Sequence, residues 1–263
     1  MRRLIIILLL AQGILTTYVV VRDYAGFTEI PLLTILSTFL AFSFTVLHAG
    51  QNLGWSRASL FIILTLLIGL TFESVGVATG LIYGPYHYTE KLGPLFLDLV
   101  PYTIPIAWAM MLYPSYIIAS RIIPAFRRIW AWAAGFAFIG AFVMTAWDLV
   151  MDPLMVAADH WVWEVEGAYF GIPLQNFLGW FLTALVILLL YLLITRTNPR
   201  ISQGKESNNF NRLAIISYAI LGGSTVLLAF NNQLGGPALA GLFAMAPWIL
   251  VAWWNYRRND YAI

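Results

Sequence analysis

The sequence predicts an all-α fold: a polytopic integral membrane helical bundle of about eight transmembrane helices with both termini cytoplasmic. Three observations predict it. First, 61% of the 263 residues are hydrophobic and only 10% are charged, with a mean hydropathy of +0.81. A soluble domain is about 45–50% apolar and about 25% charged, so a soluble enzyme, a nucleic-acid binder and a disordered chain are excluded. Second, the apolar residues come in runs near the roughly 20 needed to cross a bilayer core. Third, the basic residues alternate between the connections. Arg2, Arg3, Arg57, Arg121, Arg127, Arg128, Arg196, Arg200, Lys205, Arg212, Arg257 and Arg258 fall on one side, 12 of the 14 in all, leaving Arg22 and Lys91 opposite. The positive-inside rule then places both termini in the cytoplasm, and a seven-span arrangement would split this set. The net charge of only +2 argues against a nucleic-acid partner. The absence of cysteine removes disulfides, thiolate metal sites and cysteine nucleophiles.

In order along the chain, the expected spans are 4–21, 30–48, 58–81, 101–120, 129–152, 173–195, 212–231 and 237–255. The first follows Arg2 and Arg3 but is too long for a signal peptide, and no small-x-small cleavage site precedes Arg22, so it reads as a retained span. Segments 82–100 and 153–172, on the expected outer side, are rich in aromatics, Gly and Pro, as binding loops and lids often are. The polar stretch Thr195–Asn211 gives a cytoplasmic connector over about 196–211, dividing six spans from a final pair. The cluster Asn231, Asn232 and Gln233 reads as the turn within that pair. The whole of 1–263 is expected to be one membrane domain, in a bacterial cytoplasmic membrane.

Ionisable groups at bilayer depth are the natural functional candidates. Glu73 falls in the third span; Asp148 and Asp152 close the fifth, which Pro153 is expected to end. Glu73 shares a helical face with Gly76 and Gly80, small residues that allow close helix approach, and should face the bundle interior. At about 1.5 Å per residue, Glu73 and Asp148 lie at similar depth. The alternative for each acid is a structural hydrogen bond to a neighbouring helix, and for Asp152 an interfacial, wet position. An ionised acid at depth costs about 2.5–3.5 kcal/mol on insertion scales, which suits a carboxyl group to general acid work at neutral pH.

The chain carries 41 aromatic residues. Tyr83, Tyr86, Tyr88, Tyr102, Trp108, Trp147, Trp161, Trp163, Tyr169 and Trp180 cluster toward the expected outer side, where an interfacial belt would also place them. With embedded acids such rings suit a long polyene, and their faces stabilise a carbocation. Asn176 is a buried-amide candidate at the mouth of the sixth span. The two lysines, Lys91 and Lys205, both lie in connections, which removes a retinal Schiff base. His48, His87 and His160 are isolated, which argues against a multi-histidine di-iron centre, and no nucleotide-binding motif occurs. Asp148 and Asp152, at i and i+4, are a possible Mg²⁺ pair for a membrane prenyltransferase, but further acids and cations for a diphosphate are lacking. No metal and no cofactor are therefore expected.

Three stretches carry a family resemblance: Glu73–Pro94 (ESVGVATGLIYGPYHYTEKLGP), Val100–Trp108 (VPYTIPIAW), and Ala146–Pro153 (AWDLVMDP) joined to Trp163 and Gly167–Trp180 (GAYFGIPLQNFLGW). With order and spacing kept over about 70–182, the chain resembles the CruF-type carotenoid hydratases. The resemblance implies addition of water across the terminal C1–C2 type double bond of an acyclic carotenoid end group, giving a tertiary alcohol without a redox cofactor. It implies a hydrophobic carotenoid substrate, the lipid bilayer as surroundings, and other carotenoid biosynthesis enzymes as neighbours. The composition lacks the acid excess of an extreme halophile, which favours a lycopene-like or γ-carotene-like end over a fifty-carbon precursor.

Hydration of a trisubstituted alkene needs a proton for the CH carbon, a pocket that tolerates the tertiary cation, and a group that positions and deprotonates water. The candidates are Asp148 as donor with Glu73 holding water, or the reverse, and Asp152 tuning the pair or relaying protons. Trp147, Trp108 and Tyr83 would face the cation or the polyene, with Tyr86, Tyr88, Asn176 and Trp180 completing the binding set. The alternatives are a non-catalytic carotenoid carrier, the Mg-dependent prenyltransferase and, third, a small-molecule transporter.

Overall fold

The computed structural model describes residues 1–124, 129–196 and 207–261. Among the described residues there are eight helices, α1 (Arg2–Tyr24), α2 (Pro31–Leu53), α3 (Trp55–Thr79), α4 (Thr103–Ile122), α5 (Ile129–Ala157), α6 (Leu174–Thr195), α7 (Ser207–Asn231) and α8 (Gly235–Tyr261). Each is long and apolar enough to cross a membrane. Most of the connector expected at 196–211, with Arg200 and Lys205, lies outside the described residues, as do Arg127 and Arg128. The described helices run a few residues past the purely apolar stretches, because hydrogen bonding continues beyond the hydrocarbon-matched length.

Helix α4 is the central post. Thirteen of its twenty residues are buried, among them Ser115, Tyr113 and Tyr116, and it packs on α2, α3, α5, α7 and α8. Its polar side chains are tolerable because they meet protein. On α1, by contrast, Ile6, Ile7, Leu10 and Ile14 are exposed around the bundle perimeter, the surface a lipid solvent requires. Polar ties hold the outer helices on. Buried His48 of α2 bonds the Tyr113 hydroxyl through Nδ1 (2.7 Å) and the Phe210 carbonyl through Nε2 (2.9 Å). Asp23, ending α1, accepts from Asn231 and Asn232, so the expected α7–α8 turn also anchors α1.

The α3–α4 and α5–α6 connections lie together at one end of the bundle, here called the lid end. They contain four short strands, β1 (Tyr86–Tyr88), β2 (Leu95–Phe96), β3 (Val100–Pro101) and β4 (Trp161–Trp163). β1 pairs antiparallel with β4, Tyr86 opposite Trp163 and Tyr88 opposite Trp161, and β2 pairs with β3. Gln175, in the first turn of α6, donates to the Gly80 and Leu81 carbonyls (3.1 and 2.7 Å), satisfying acceptors left at the end of α3. In the α5–α6 connection, a Cβ on Gly167 would fall 1.9 Å from the Ile172 carbonyl carbon, so only glycine fits that backbone approach.

Pro153 does not end α5, contrary to the sequence expectation; the helix runs through it to Ala157. Proline removes the N–H that would reach the carbonyl of Leu149, four residues back. The Tyr169 hydroxyl donates to that carbonyl at 2.8 Å. A side chain from the lid end thus replaces the missing backbone donor. Asp152 is consequently held inside a helix at 1% exposure, not exposed at a helix end.

This substitution of donors can be measured. Tyr169→Phe should cost about 1–3 kcal/mol by leaving the Leu149 carbonyl unsatisfied. In a Pro153→Ala background the cost should shrink, since the restored N–H supplies the bond. Thermal unfolding of the four proteins in detergent gives the coupling.

Candidate active site

The lid strands alternate with period two. Tyr86 and Tyr88 on β1, and Trp161 and Trp163 on β4, point inward, while His87 and Val162 point out. The inward rings pack as cross-strand pairs, Tyr86 with Trp163 (centroids 4.9 Å) and Tyr88 with Trp161 (5.7 Å). Beneath them lie the three embedded acids, all buried.

The four inward rings divide between two carboxylates. The Tyr86 and Tyr88 hydroxyls donate to Glu73 Oε2 at 2.5 and 2.9 Å, and Trp108 Nε1 of α4 donates to Oε1 at 2.9 Å. Trp161 and Trp163 Nε1 donate to Asp152 Oδ1 at 2.9 and 3.2 Å. Burial first, and then the facing Glu73, push both tyrosine phenols well above their usual range, so they remain proton donors. Asn176 of α6 bridges the aspartates, its Nδ2 donating to Asp148 Oδ2 (2.8 Å) and Asp152 Oδ2 (2.6 Å). Asp148 Oδ1 has no hydrogen-bond partner among the described residues. A buried polar atom without a partner is costly unless it carries a proton or meets a ligand.

A cavity of about 110 Å³ opens between these groups. Glu73, Asp152 and Asn176 supply its polar wall; Tyr83, Tyr86, Tyr88, Trp108, Trp147 and Trp180 supply most of its aromatic wall. Trp108 and Trp180 stack at 4.3 Å, and Trp147 meets Trp180 edge-on at 6.2 Å. Asp148 stands behind this wall, reaching it through Asn176. Gly76 does not serve helix–helix approach as expected. It receives one edge of the Tyr83 ring, where a Cβ would come within 2.5 Å of Cδ2, and Gly179 of α6 receives the other edge at 2.5 Å from Cδ1. Gly80 ends α3 in the left-handed conformation instead of meeting a neighbouring helix.

Of the aromatics marked near this end, Tyr102 is exposed and Tyr169 serves Leu149; neither lines the cavity. Sequence reasoning left Trp161 and Trp163 out of the site, although the alternation in YHY and WVW is the signal that places them. It also missed Thr34, Thr38, Thr103, Met151 and Met155 on the wall, which no motif marks. Among the described residues, no group of three His, Asp or Glu side chains could hold a metal ion. The Mg²⁺ pair considered for Asp148 and Asp152 meets an amide N–H donor shared by the two Oδ2 atoms, the opposite of what a bridging cation needs.

The lid is also fastened at its edge. Buried His160 bonds Glu29 Oε1 through Nε2 (3.1 Å), and Thr34 donates to the same oxygen (3.3 Å). The hydrogen bond from His160 is the main cause holding the Glu29 carboxyl below its ordinary value near 4.5.

These features define a class: an integral membrane protein with an apolar, aromatic cavity set against buried acids. The chain belongs to the carotenoid biosynthesis protein family, whose sequence model matches residues 30–247. It is similar to the bisanhydrobacterioruberin hydratase of Haloarcula japonica, 33% identical over 135 residues, or 51% of this chain and 45% of that protein. The match thus spans less than half the length of that relative. No solved structure matches.

Two outcomes check the site's construction. Gly179→Ala should displace Tyr83, since the new Cβ would also lie 2.6 Å from the Ile82 carbonyl oxygen; about 1–3 kcal/mol of stability should be lost, read from thermal unfolding. The Glu29 carboxyl, being depressed, contributes stability that is present above about pH 4.5 and is lost as pH falls through its lower folded value. Hydrogen exchange across 158–164 should therefore accelerate on acidification, and the acid step should be absent in Glu29→Gln.

Proposed function

We propose that this protein is a hydratase that adds water across the terminal trisubstituted double bond of an acyclic carotenoid end group. The observation that carries the reading is that Glu73 and Asp152, from different helices, face one aromatic cavity, each under three fixed hydrogen-bond donors. Alkene protonation leaves a carboxylate behind, and donors already aimed at that carboxylate stabilise the charge as it develops. Indole and phenol faces stabilise the tertiary cation that forms opposite. Family membership and the similarity to a hydratase support the same chemistry.

The steps balance without a redox partner. Asp148 and Asp152 share Asn176 and hold one proton between them, since two such neighbours do not both ionise readily. Asp152 passes that proton to the CH carbon of the alkene, forming a C–H bond and leaving the cation on the dimethyl carbon. Water bonds to that carbon, and its surplus proton goes to Glu73. Return of that proton to the aspartate pair closes the cycle. Asp148 acts in this scheme through Asn176 and Asp152, as a positioning residue. The end group is lycopene-like or γ-carotene-like. The membrane is a bacterial cytoplasmic membrane with both termini inside, as the distribution of basic residues supports, and other carotenoid-modifying enzymes are its neighbours.

Expression in a lycopene- or γ-carotene-producing bacterium should yield a pigment heavier by one water, or by two where both ends are open. Asp152→Asn and Glu73→Gln should each lower product by about 10²-fold or more, as expected for loss of a positioned acid or base. Asp148→Asn should lower it by only about tenfold. Near-normal turnover by Asp152→Asn would sink the assignment. Unmodified pigment that co-purifies with well-expressed wild-type protein would identify a carrier.

A further inference from the structure

A second cavity adjoins the first. It holds about 400 Å³ between the α1–α2 connection, the end of α5 and the end of α7. Its character is different: Arg22, Asp23, Glu29, Asn231 and Asn232 line it. Two residues, Thr34 and Met155, belong to the walls of both cavities. Thr34 is the polar one of the two, and its hydroxyl bonds Glu29 on the polar side. The principal donors around the aromatic cavity are otherwise committed, Tyr86, Tyr88 and Trp108 to Glu73, and Trp161, Trp163 and Asn176 to the aspartates.

Resting on the hydratase reading, we propose that this polar cavity is the antechamber for the water that is added, and that it enters the aromatic cavity past Thr34 and Met155. A polyene end seated among the rings displaces solvent from that side. The cation formed on it has two fates. Capture of water forms the C–O bond and releases one proton to a carboxylate. Loss of a proton from an adjacent carbon instead regenerates an alkene and returns that proton to the carboxylate. Delivery of a water from a polar side chamber decides for the alcohol, and a hydroxyl at the threshold gives the passing water a hydrogen-bonding partner where the wall turns apolar. Met155 is the apolar residue that the two walls share.

The two fates are separable in D2O. The acid then carries deuterium, so a cation that collapses without water returns alkene that holds the label at the former CH carbon, whichever adjacent carbon gives up the proton. With full-length protein in membranes and lycopene as the probe, mass analysis gives the ratio of alcohol to deuterated alkene. Thr34→Val and Met155→Phe should each lower that ratio by about tenfold, and Thr34→Ser should restore it. An unchanged ratio in both variants overturns the route, and so does a parallel loss of alcohol and label, which marks a structural role only. Failure of the wild-type protein to form any alcohol overturns the hydratase reading itself, and is distinguishable because it appears before any substitution is made.

Discussion

Burial of three carboxylates in a membrane bundle is the constraint on which the rest of this structure depends. A carboxylate at bilayer depth needs donors, and helices spend their backbone N–H groups on themselves. The donors must then come from side chains, and aromatic residues meet the need best: Tyr and Trp each carry one polar atom on a large apolar body. The lid answers this directly. Two three-residue strands, too short to be stable alone, present two phenols to Glu73 and two indoles to Asp152. The hydrogen bonds that make the acids tolerable also hold the lid in place.

The same economy appears in the backbone. Pro153 and Gly167 look like breaks in a loop-rich region, yet each is part of a single arrangement. The proline opens the Leu149 carbonyl, Tyr169 closes it, and the tight backbone at Gly167 belongs to the connection that delivers Tyr169. Asp148 and Asp152 stay on a continuous helix as a result, one turn apart and within reach of one amide. Tyr83 is fixed comparably, its ring held between two glycines and its hydroxyl 2.9 Å from that of Thr183. A cavity wall built of side chains so constrained is preorganised, as the proposed reaction through a cation requires.

Much was legible in the sequence. Composition and run length specified a helical membrane bundle because the bilayer imposes one length and one backbone solution on any spanning segment. Glu73, Asp148, Asp152 and Asn176 stood out because polar groups at such depth are rare. Tyr86 and Trp108 stood out only as members of the aromatic cluster near the expected outer side, and their pairing with Glu73 had no local signature.

What only the tertiary structure decided is which donor meets which acid, and which acids reach the cavity. Asp148 and Asp152 are equivalent in the sequence, one turn apart on one face, yet Asp152 stands on the wall and Asp148 behind it. That difference follows from the register of β1 against β4 and the placement of Asn176 on α6, contacts between residues distant in the chain. The sequence by itself determined the solvent of each segment, since hydropathy is local and additive. The site's geometry is non-local, and it appears only when the lid strands pair and close over the helices.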